Sequence, residues 1–453
     1  MPFRATVAAL ALARQHIVPL CSKNLCTLCI FVVRLLSDLL GLALMPAAPA
    51  GAKNTAMSRR LPPGLNRRVL LFFCHSLLFH IALLGIADIL LNFYLVSIGF
   101  DGQTIALLQS LPRLSGFLIG LPIGLWADRI GNRRLIALST AGIALSVAAT
   151  ALTTSLPWLA LSRFAWGACF GANQVVKPPF MVTLTDRHEH TAQFSWHNLV
   201  SMLAVALGSA LGGLLPMLLG GSAHADSNAY RASILLAALV LLLSVLPMLP
   251  LGGQGEAAGS QWRRRDWRRL PWRRLLRLTS PLFIFGISGG LTFPFFNLFF
   301  RDVFALGDSA VGAVIGLGWL VMGVLPLANP LWGARLGRAG ALFSLMLVSA
   351  LAFTGLSLAQ ALPLAVLCYA LAIGARNTMQ PLFQPLLMDS LRAAHHNLAS
   401  SLGLALWNMG WFGATLAFGW LQLALGYRGI MLLVAAFVLL NGLSIRLTAL
   451  RKD

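Results

Sequence analysis

The sequence predicts an all-α polytopic membrane protein, with twelve transmembrane helices in two pseudo-symmetric six-helix halves. Three observations support this prediction. Hydrophobic residues make up 58% of the 453 residues and charged residues only 10%, whereas a soluble domain carries about 25% charged residues. The apolar residues form blocks of about twenty, long enough as helices to cross a hydrocarbon core of roughly 30 Å. Finally, short motifs of the first half recur in the same order in the second half.

The apolar blocks are interpreted as twelve spans separated by polar loops. Each span must be a helix, because a chain in lipid has to satisfy its backbone hydrogen bonds internally and these blocks are too long for barrel strands. The predicted spans are 70–95, 104–126, 135–153, 157–180, 197–219, 230–250, 281–303, 310–333, 339–359, 362–387, 398–424 and 428–447.

The longest polar break divides the spans six and six. It covers 251–279 and contains eight arginines. The predicted organisation is an N-terminal half 57–250, this basic cytoplasmic linker, and a C-terminal half 280–453. Residues 1–56 lie outside the scheme, although they contain one more apolar stretch. We interpret them as an N-terminal extension added by an upstream start site; a thirteenth span and a cleaved targeting segment are the alternatives.

The positive charge of the chain is concentrated on one side of the predicted spans. The formal net charge is +21. If the first span starts in the cytoplasm, 22 Lys and Arg side chains fall on the cytoplasmic side and three on the outer side. The positive-inside rule then places both termini of the core in the cytoplasm of a multi-pass cell-membrane protein. Because these residues lie in short loops between apolar blocks, they indicate orientation and exclude nucleic acid as the expected partner.

The two halves match at a nearly constant offset. Residues 91–102 match 296–307 at an offset of 205, and residues 171–186 match 374–389 at an offset of 203 without a gap. Two six-helix halves in the same orientation are related by an axis along the membrane normal, which is the design of one class of secondary transporters. A channel or a membrane enzyme need not have this repeat.

The loop after the second span carries the most specific motif. It reads GLWADRIGNRR over residues 124–134, and it resembles the G-x-x-x-D-R-x-G-x-R-R signature of the major facilitator superfamily at every signature position. The resemblance covers about residues 68–448 and implies a secondary active transporter that moves a small molecule by alternating access. It also implies a conformational latch built from Gly124, Asp128, Arg129, Gly131, Arg133 and Arg134.

Two further resemblances concern coupling and direction. Arg163 to Gly167 in span four is similar to the R-x-x-x-G element that the family associates with proton coupling in some exporters. The exporter signature of span five is only partly met, because no proline follows Gly212. Export and import therefore both stay open.

Ionisable groups within predicted spans are costly in lipid and are candidates for function. Asp88, Arg113 and Arg163 all lie in the outer halves of their spans. A carboxylate beside a cation suits coupling to a proton gradient, so Asp88 is the candidate proton site. A purely structural ion pair is the alternative.

The family resemblance implies that spans one, four, seven and ten line a central cavity. The polar residues of these spans are the candidate substrate contacts: Asn92, Asn173, Lys177, Asn297, Arg376, Gln380 and Gln384. Lys177 and Arg376 favour an anionic or zwitterionic substrate. Alternatively, Lys177 extends to the cytoplasmic headgroups. His80, Trp407 and Trp411 are interpreted mainly as packing residues.

Other functions lack their motifs. The sequence has no phosphate-binding loop of an ATP-driven pump, no convincing metal-ligand cluster and no nucleophile motif. We therefore expect no cofactor, no metal and no enzymatic activity; the expected partners are a small-molecule substrate, a coupling proton and membrane lipid. The rivals are a membrane-embedded enzyme and a non-transporting receptor or scaffold on the same fold.

Overall fold

The computed structural model describes residues 66–184, 190–220, 226–251, 272–390 and 396–450, and every regular element in these ranges is a helix. The predictions for residues 1–56 and for most of the 251–279 linker lie outside the described residues.

Six helices form the N-terminal half. The first contains a π-helical turn at Ile81–Ala87, and the sixth is followed by a 3-10 turn at Leu246–Met248. The helices are α1 Arg67–Ser97, α2 Gly102–Ile130, α3 Asn132–Leu152, α4 Leu156–Val182, α5 His190–Gly220 and α6 Ser227–Leu243.

The C-terminal half follows the same order. Its helices are α7 Trp272–Phe304, α8 Asp308–Val324, α9 Ala339–Leu358, α10 Leu362–Asp389, α11 (396–425) and α12 (427–450). A continuous helix runs from α11 into α12 and is kinked at Gly426. The helix Asn329–Leu358 is kinked in the same way at Gly337, and α9 is its longer apolar part.

Each predicted span overlaps one of these helices, so the all-α polytopic fold is confirmed. The span predicted at 310–333 runs past the end of α8 at Val324, through a 3-10 turn at Leu325–Ala328 and into the helix Asn329–Leu358. Eight helical runs among the described residues are long and apolar enough to cross a membrane. The membrane crossing of all twelve stays a prediction.

One helix start differs from its prediction. Helix α7 begins at Trp272, inside the range expected to be linker, rather than near residue 281. Leu275 is fully buried, whereas Arg274 is exposed and donates to the Ser390 carbonyl at 3.1 Å. This first part of α7 is therefore amphipathic, and an average hydropathy does not detect such a segment.

The backbone itself repeats between the halves. Gly131 and Gly337 have φ values of +87° and +67° and begin the third helix of each half. Gly99 and Ala305, which follow the first helix of each half, also have positive φ values, of +92° and +51°. Both pairs are 206 residues apart, within one residue of the offset of 205 found for the sequence repeat at residues 91–102.

Helices α1 and α7 both depart from α-helical geometry in their middle. The π turn of α1 ends immediately before Asp88. Helix α7 stops at Gly290, makes a 3-10 turn at Phe293–Phe295 and resumes at Phe296. π turns occur frequently at functional sites, and discontinuous helices form the binding sites of many transporters.

The two halves pack through α5 against α8 and α2 against α11. Small residues allow the backbones to approach closely there. A Cβ on Gly213 would lie 2.4 Å from the Asp308 carbonyl oxygen, and a Cβ on Gly312 would lie 2.5 Å from that of Ser209. We call the end of the bundle at residues 251 and 272 the linker end, and the opposite end, with the 98–101 loop, the far end.

Candidate functional site

The carboxylate of Asp88 lies where two small cavities meet α1. One cavity is within the N-terminal half and is also lined by Thr150 and Arg163. The other lies between the halves and is lined by Pro294 and Trp319 among others. The space open to the centre of a water-sized sphere is about 20 Å³ in the first and about 30 Å³ in the second. This is room for one or two water molecules beside Asp88 in each cavity.

Asp88 interacts electrostatically with Arg163 and Arg113, the two arginines predicted as its partners, but hydrogen-bonds to neither. Arg163 is buried and donates instead to Gln109 Oε1 at 3.0 Å and to the Leu108 carbonyl at 3.4 Å. Its guanidinium also lies 4.7 Å from the centre of the Trp166 ring. Contacts with α2 and α4 thus hold the guanidinium of Arg163 in place, whereas Asp88 lines the two cavities.

Arg113 connects the two halves. Its guanidinium lies 4.1 Å from the ring centre of Trp411 and 4.9 Å from that of Trp407. Arg113 is on α2 and both tryptophans are on α11, so this cation–π contact crosses the interface. The tryptophans, expected mainly to pack, therefore also hold a charge that acts on Asp88.

A chain of hydrogen bonds continues from Arg163 to the other half. Gln109 donates to Asn92 Oδ1 at 2.8 Å, and Asn92 donates to Asn297 Oδ1 at 2.9 Å and to the Pro294 carbonyl. Asn297 in turn donates to the Ile89 carbonyl at 2.8 Å. The structure thus brings together Asn92 and Asn297, two of the predicted cavity residues, and connects them to Arg163 through Gln109.

A second polar contact joins the halves at the far end. The hydroxyl of Tyr230, at the start of α6, donates to Asp308 Oδ2 at 2.5 Å at the start of α8. The guanidinium of Arg301 on α7 lies 5.0 Å from the ring centre of Phe93 on α1. Together with the asparagine pair, these contacts join the two halves toward the far end of the interface.

Arg376 of α10 contacts α7 next to the break in that helix. Its Nε donates to Ser288 Oγ at 3.0 Å, and its Nη2 donates to the Phe285 carbonyl. The guanidinium also lies 3.9 Å from the ring centre of Phe285. A Cβ on Gly289 would lie 2.6 Å from the Trp411 ring and 2.7 Å from Arg376 Nη2, so both side chains would have to shift. Gln380, one turn further along α10, is half-buried; the side chain of Gln384 lies outside the described residues.

Asn173 and Lys177 contact different neighbours, although they are four residues apart on α4. Asn173 donates to Ser139 Oγ at 3.1 Å and to Thr140 Oγ1 at 3.2 Å, both on α3. Lys177 Nζ lies 3.7 Å from the ring centre of Phe79 on α1. Lys177 is only 4% exposed, so it does not extend to the headgroups.

The predicted latch is described only in part. Gly124, Asp128 and Arg129 lie in the last turns of α2, and their surroundings are outside the described residues. The remaining motif residues are described. Gly131 makes the turn, Arg134 is exposed, and Arg133 donates to the Leu249 carbonyl at 2.9 Å beyond α6.

Several site residues were not predicted from the sequence. Gln109 could have been predicted from the sequence, because it lies four residues before Arg113 and so shares its face of α2. The contact between Tyr230 and Asp308 could not, because it depends on how α6 and α8 meet. As for metals, the residues that the structure describes contain no group of three His, Cys, Asp or Glu side chains that could hold one.

Two helical halves that meet through interrupted helices around a buried charge define a polytopic membrane transporter. The family model of the Major Facilitator Superfamily matches residues 30–412, so this chain belongs to that superfamily. The resemblance of the loop motif is thereby confirmed. A search of curated proteins gave no match.

Solved structures of transporters share the fold. A mutant of the nucleoside transporter NupG superposes with a TM-score of 0.69 at 13% identity, covering 84% of this chain and 99% of that one. A bacterial homolog of the human lysosomal transporter Spinster, in an inward-facing and unoccupied conformation, has a TM-score of 0.67 at 12% identity, covering 86% and 98%. A D-xylose–proton symporter has a TM-score of 0.68 at 13% identity, covering 83% and 96%.

Proposed function

We propose that this protein is a secondary active transporter that moves a small organic molecule by alternating access, and that Asp88 couples the movement to a proton gradient. The observation that carries the proposal is the position of Asp88. Its carboxylate lines a cavity in the N-terminal half and a cavity between the halves, and it follows the π turn of α1 directly.

Proton binding at Asp88 has a route to the interface. When the carboxylate is charged, it attracts Arg163 and Arg113; protonation removes that attraction. Arg163 is hydrogen-bonded to Gln109, which is bonded to the interface residue Asn92. Arg113 stacks on tryptophans of the other half. Proton binding at Asp88 therefore acts on contacts across the interface between the halves. It thereby changes the relative free energies of the conformations of the transporter, which is the requirement for coupling transport to a proton gradient.

The present conformation suits one half of such a cycle. Cross-half contacts join the halves toward the far end, and the space beside Asp88 holds water but not a solute. We assign the linker end to the cytoplasm on the basis of the positive-inside rule, so the far end faces outward. Reporter fusions test it: a reporter within 252–271 should be active only in the cytoplasm, and one in the 98–101 loop only outside.

The direct test of coupling uses the full-length protein in vesicles that contain a pH-sensitive dye. Nucleosides, pentoses and organic anions are added in turn, since the solved relatives include a nucleoside transporter, a D-xylose–proton symporter and an organic anion transporter. We expect at least one solute class to move protons across the membrane in the wild type.

The Asp88→Asn variant should lose this proton movement while still exchanging solute down its gradient, because an amide cannot change charge. Asp101→Asn is the matched control, since Asp101 is exposed and caps α2 through a 2.9 Å bond from the Thr104 amide. Full proton coupling in Asp88→Asn contradicts the role of Asp88. A wild type that moves no solute at all supports the receptor or scaffold alternative.

A further inference from the structure

A group of four basic side chains lies between the linker end and the middle of the N-terminal half. We call it the basic group, and it consists of His75, His80, Lys177 and His197. Helices α1, α4 and α5 supply them. The charge of Lys177 acts on all three imidazoles. Of the three histidines, only His80 was considered in the sequence, where it was interpreted as a packing residue; Lys177 was predicted as a substrate-cavity residue.

The histidines are anchored to the helices around them. His75 Nδ1 donates to the Ser244 carbonyl of α6 at 2.8 Å, and His80 Nδ1 donates to the Ser76 carbonyl at 2.6 Å. His197 Nε2 and Ser76 Oγ share a hydrogen bond of 2.9 Å. These bonds fix the orientations of the three rings. The Nε2 atom of His75 is buried without a hydrogen-bond partner.

Lys177 itself lacks a partner. Its ammonium is buried and makes no hydrogen bond. Among the described residues no carboxylate acts on it; the electrostatic partners of Asp88 are Arg163 and Arg113. The ring of Phe79 offsets part of the cost of burying the charge. A buried ammonium with three unused donors and no counter-charge is costly, so its retention points to a ligand that supplies the missing anion.

The surroundings define the kind of anion. Imidazole is largely neutral at pH 7, so the basic group carries about one positive charge and matches a monoanion. Aromatic rings surround it. Phe72 stacks on His197 at 5.3 Å between ring centres and lies 5.7 Å from Phe180, and Phe79 packs edge-on against His80. These aromatic rings form an apolar surface, which favours a ligand that has no charge other than that of the anionic group.

We propose that the basic group binds the carboxylate of a monoanionic solute with an aromatic or apolar body, with Lys177 as the charge-pairing residue. The proposal rests on the transport function proposed above and assigns its substrate class. The mechanism described there does not use the basic group. A carboxylate bound by the basic group would contact α1 on the linker side of the π turn. Asp88 lies on the same helix, directly after that turn.

The test measures binding of benzoate to the purified full-length protein by calorimetry, with benzamide as the neutral probe of the same shape. Benzoate should bind at least about tenfold more tightly than benzamide, and Lys177→Gln should abolish this difference because it removes the paired charge. Arg428→Gln is the matched control, since Arg428 is an exposed cation at the start of α12. It should bind benzoate as the wild type does. No benzoate binding in the wild type, or equal binding in Lys177→Gln, overturns the proposal.

A second measurement does not depend on the probe. If Lys177 is kept for a ligand, Lys177→Met should raise the Tm of the ligand-free protein by a few degrees, because it replaces an unpaired charge by an apolar chain of similar length. A lower Tm would show that Lys177 supports the fold and would overturn the proposal. Neither measurement needs a proton gradient. A protein that binds benzoate through Lys177 but moves no solute would contradict only the transport function.

Discussion

Asn92 donates a hydrogen bond of 2.9 Å to Asn297 across the interface of the two halves, and these residues are equivalent positions of the internal repeat, 205 residues apart. An amide can pair with its own equivalent because it carries both a donor and an acceptor. The pair therefore lies where α1 and α7 meet around the pseudo-symmetry axis. It also ends the hydrogen-bond chain that begins at Arg163.

The asparagine pair should stabilise closure of the far end. Asn92→Ala removes the bond to Asn297 and leaves Gln109 without its acceptor, which costs the closed state about 1–3 kcal/mol. Phe293→Cys, in a background without native cysteines, should then react several-fold faster with an impermeant thiol reagent applied at the far end. Asn408→Ala is the control, because Asn408 bonds only to Leu404 of its own helix. An unchanged labelling rate in Asn92→Ala would show that other contacts close this end.

Tyr230 should act on the same equilibrium. Tyr230→Phe removes the only hydrogen bond that Asp308 receives among the described residues and should increase labelling of the same cysteine. Tyr94→Phe is the matched control, since the Tyr94 hydroxyl donates to the Ala151 carbonyl at 3.1 Å within one half. It should lower stability by about 1 kcal/mol without changing the labelling rate. If both variants label equally, the interface bond has no special role.

The two loop glycines should contribute to stability through their backbone conformation. Gly131 and Gly337 have positive φ, and a Cβ on Gly337 would meet no atom within 4 Å. Gly337→Ala should therefore cost about 1–3 kcal/mol through backbone strain alone, seen as a lower Tm. Gly413→Ala, at an equally open position within α11, should leave Tm unchanged or raise it. An unchanged Tm in Gly337→Ala would show that the backbone of this turn can adopt another conformation without a loss of stability.

The loop motif stays a prediction that kinetics can test. Asp128→Asn replaces a carboxylate by an uncharged amide of the same shape, so it should slow proton-coupled transport several-fold in correctly inserted protein. Initial rates normalised to the amount of protein in the vesicles measure this effect, with Asp101→Asn at the other end of α2 as the control. Equal transport rates in the two variants would show that Asp128 is not part of the latch.

The sequence by itself determined the class of protein and its repeat. Blocks of about twenty apolar residues must be helices in lipid, and this constraint acts on each segment separately. Gly131 was identified as part of the loop motif, and the structure gives it a positive φ of +87° at the turn. The membership of the superfamily followed from a contiguous motif. All of these are local signals, so they could be recognised without knowing which helices meet.

Only the tertiary structure decided which polar groups meet. Asn173 and Lys177 share a helix face, yet one bonds to α3 and the other lies against Phe79 of α1. The unpartnered ammonium of Lys177 became evident only when α1, α4 and α5 were packed together. The π turn before Asp88 likewise accompanies the close approach of Gly85 to Gly208 of α5. Such contacts join residues from about thirty to more than a hundred positions apart, and lipid-spanning helices of similar composition can pack in many registers, so no local pattern specifies them.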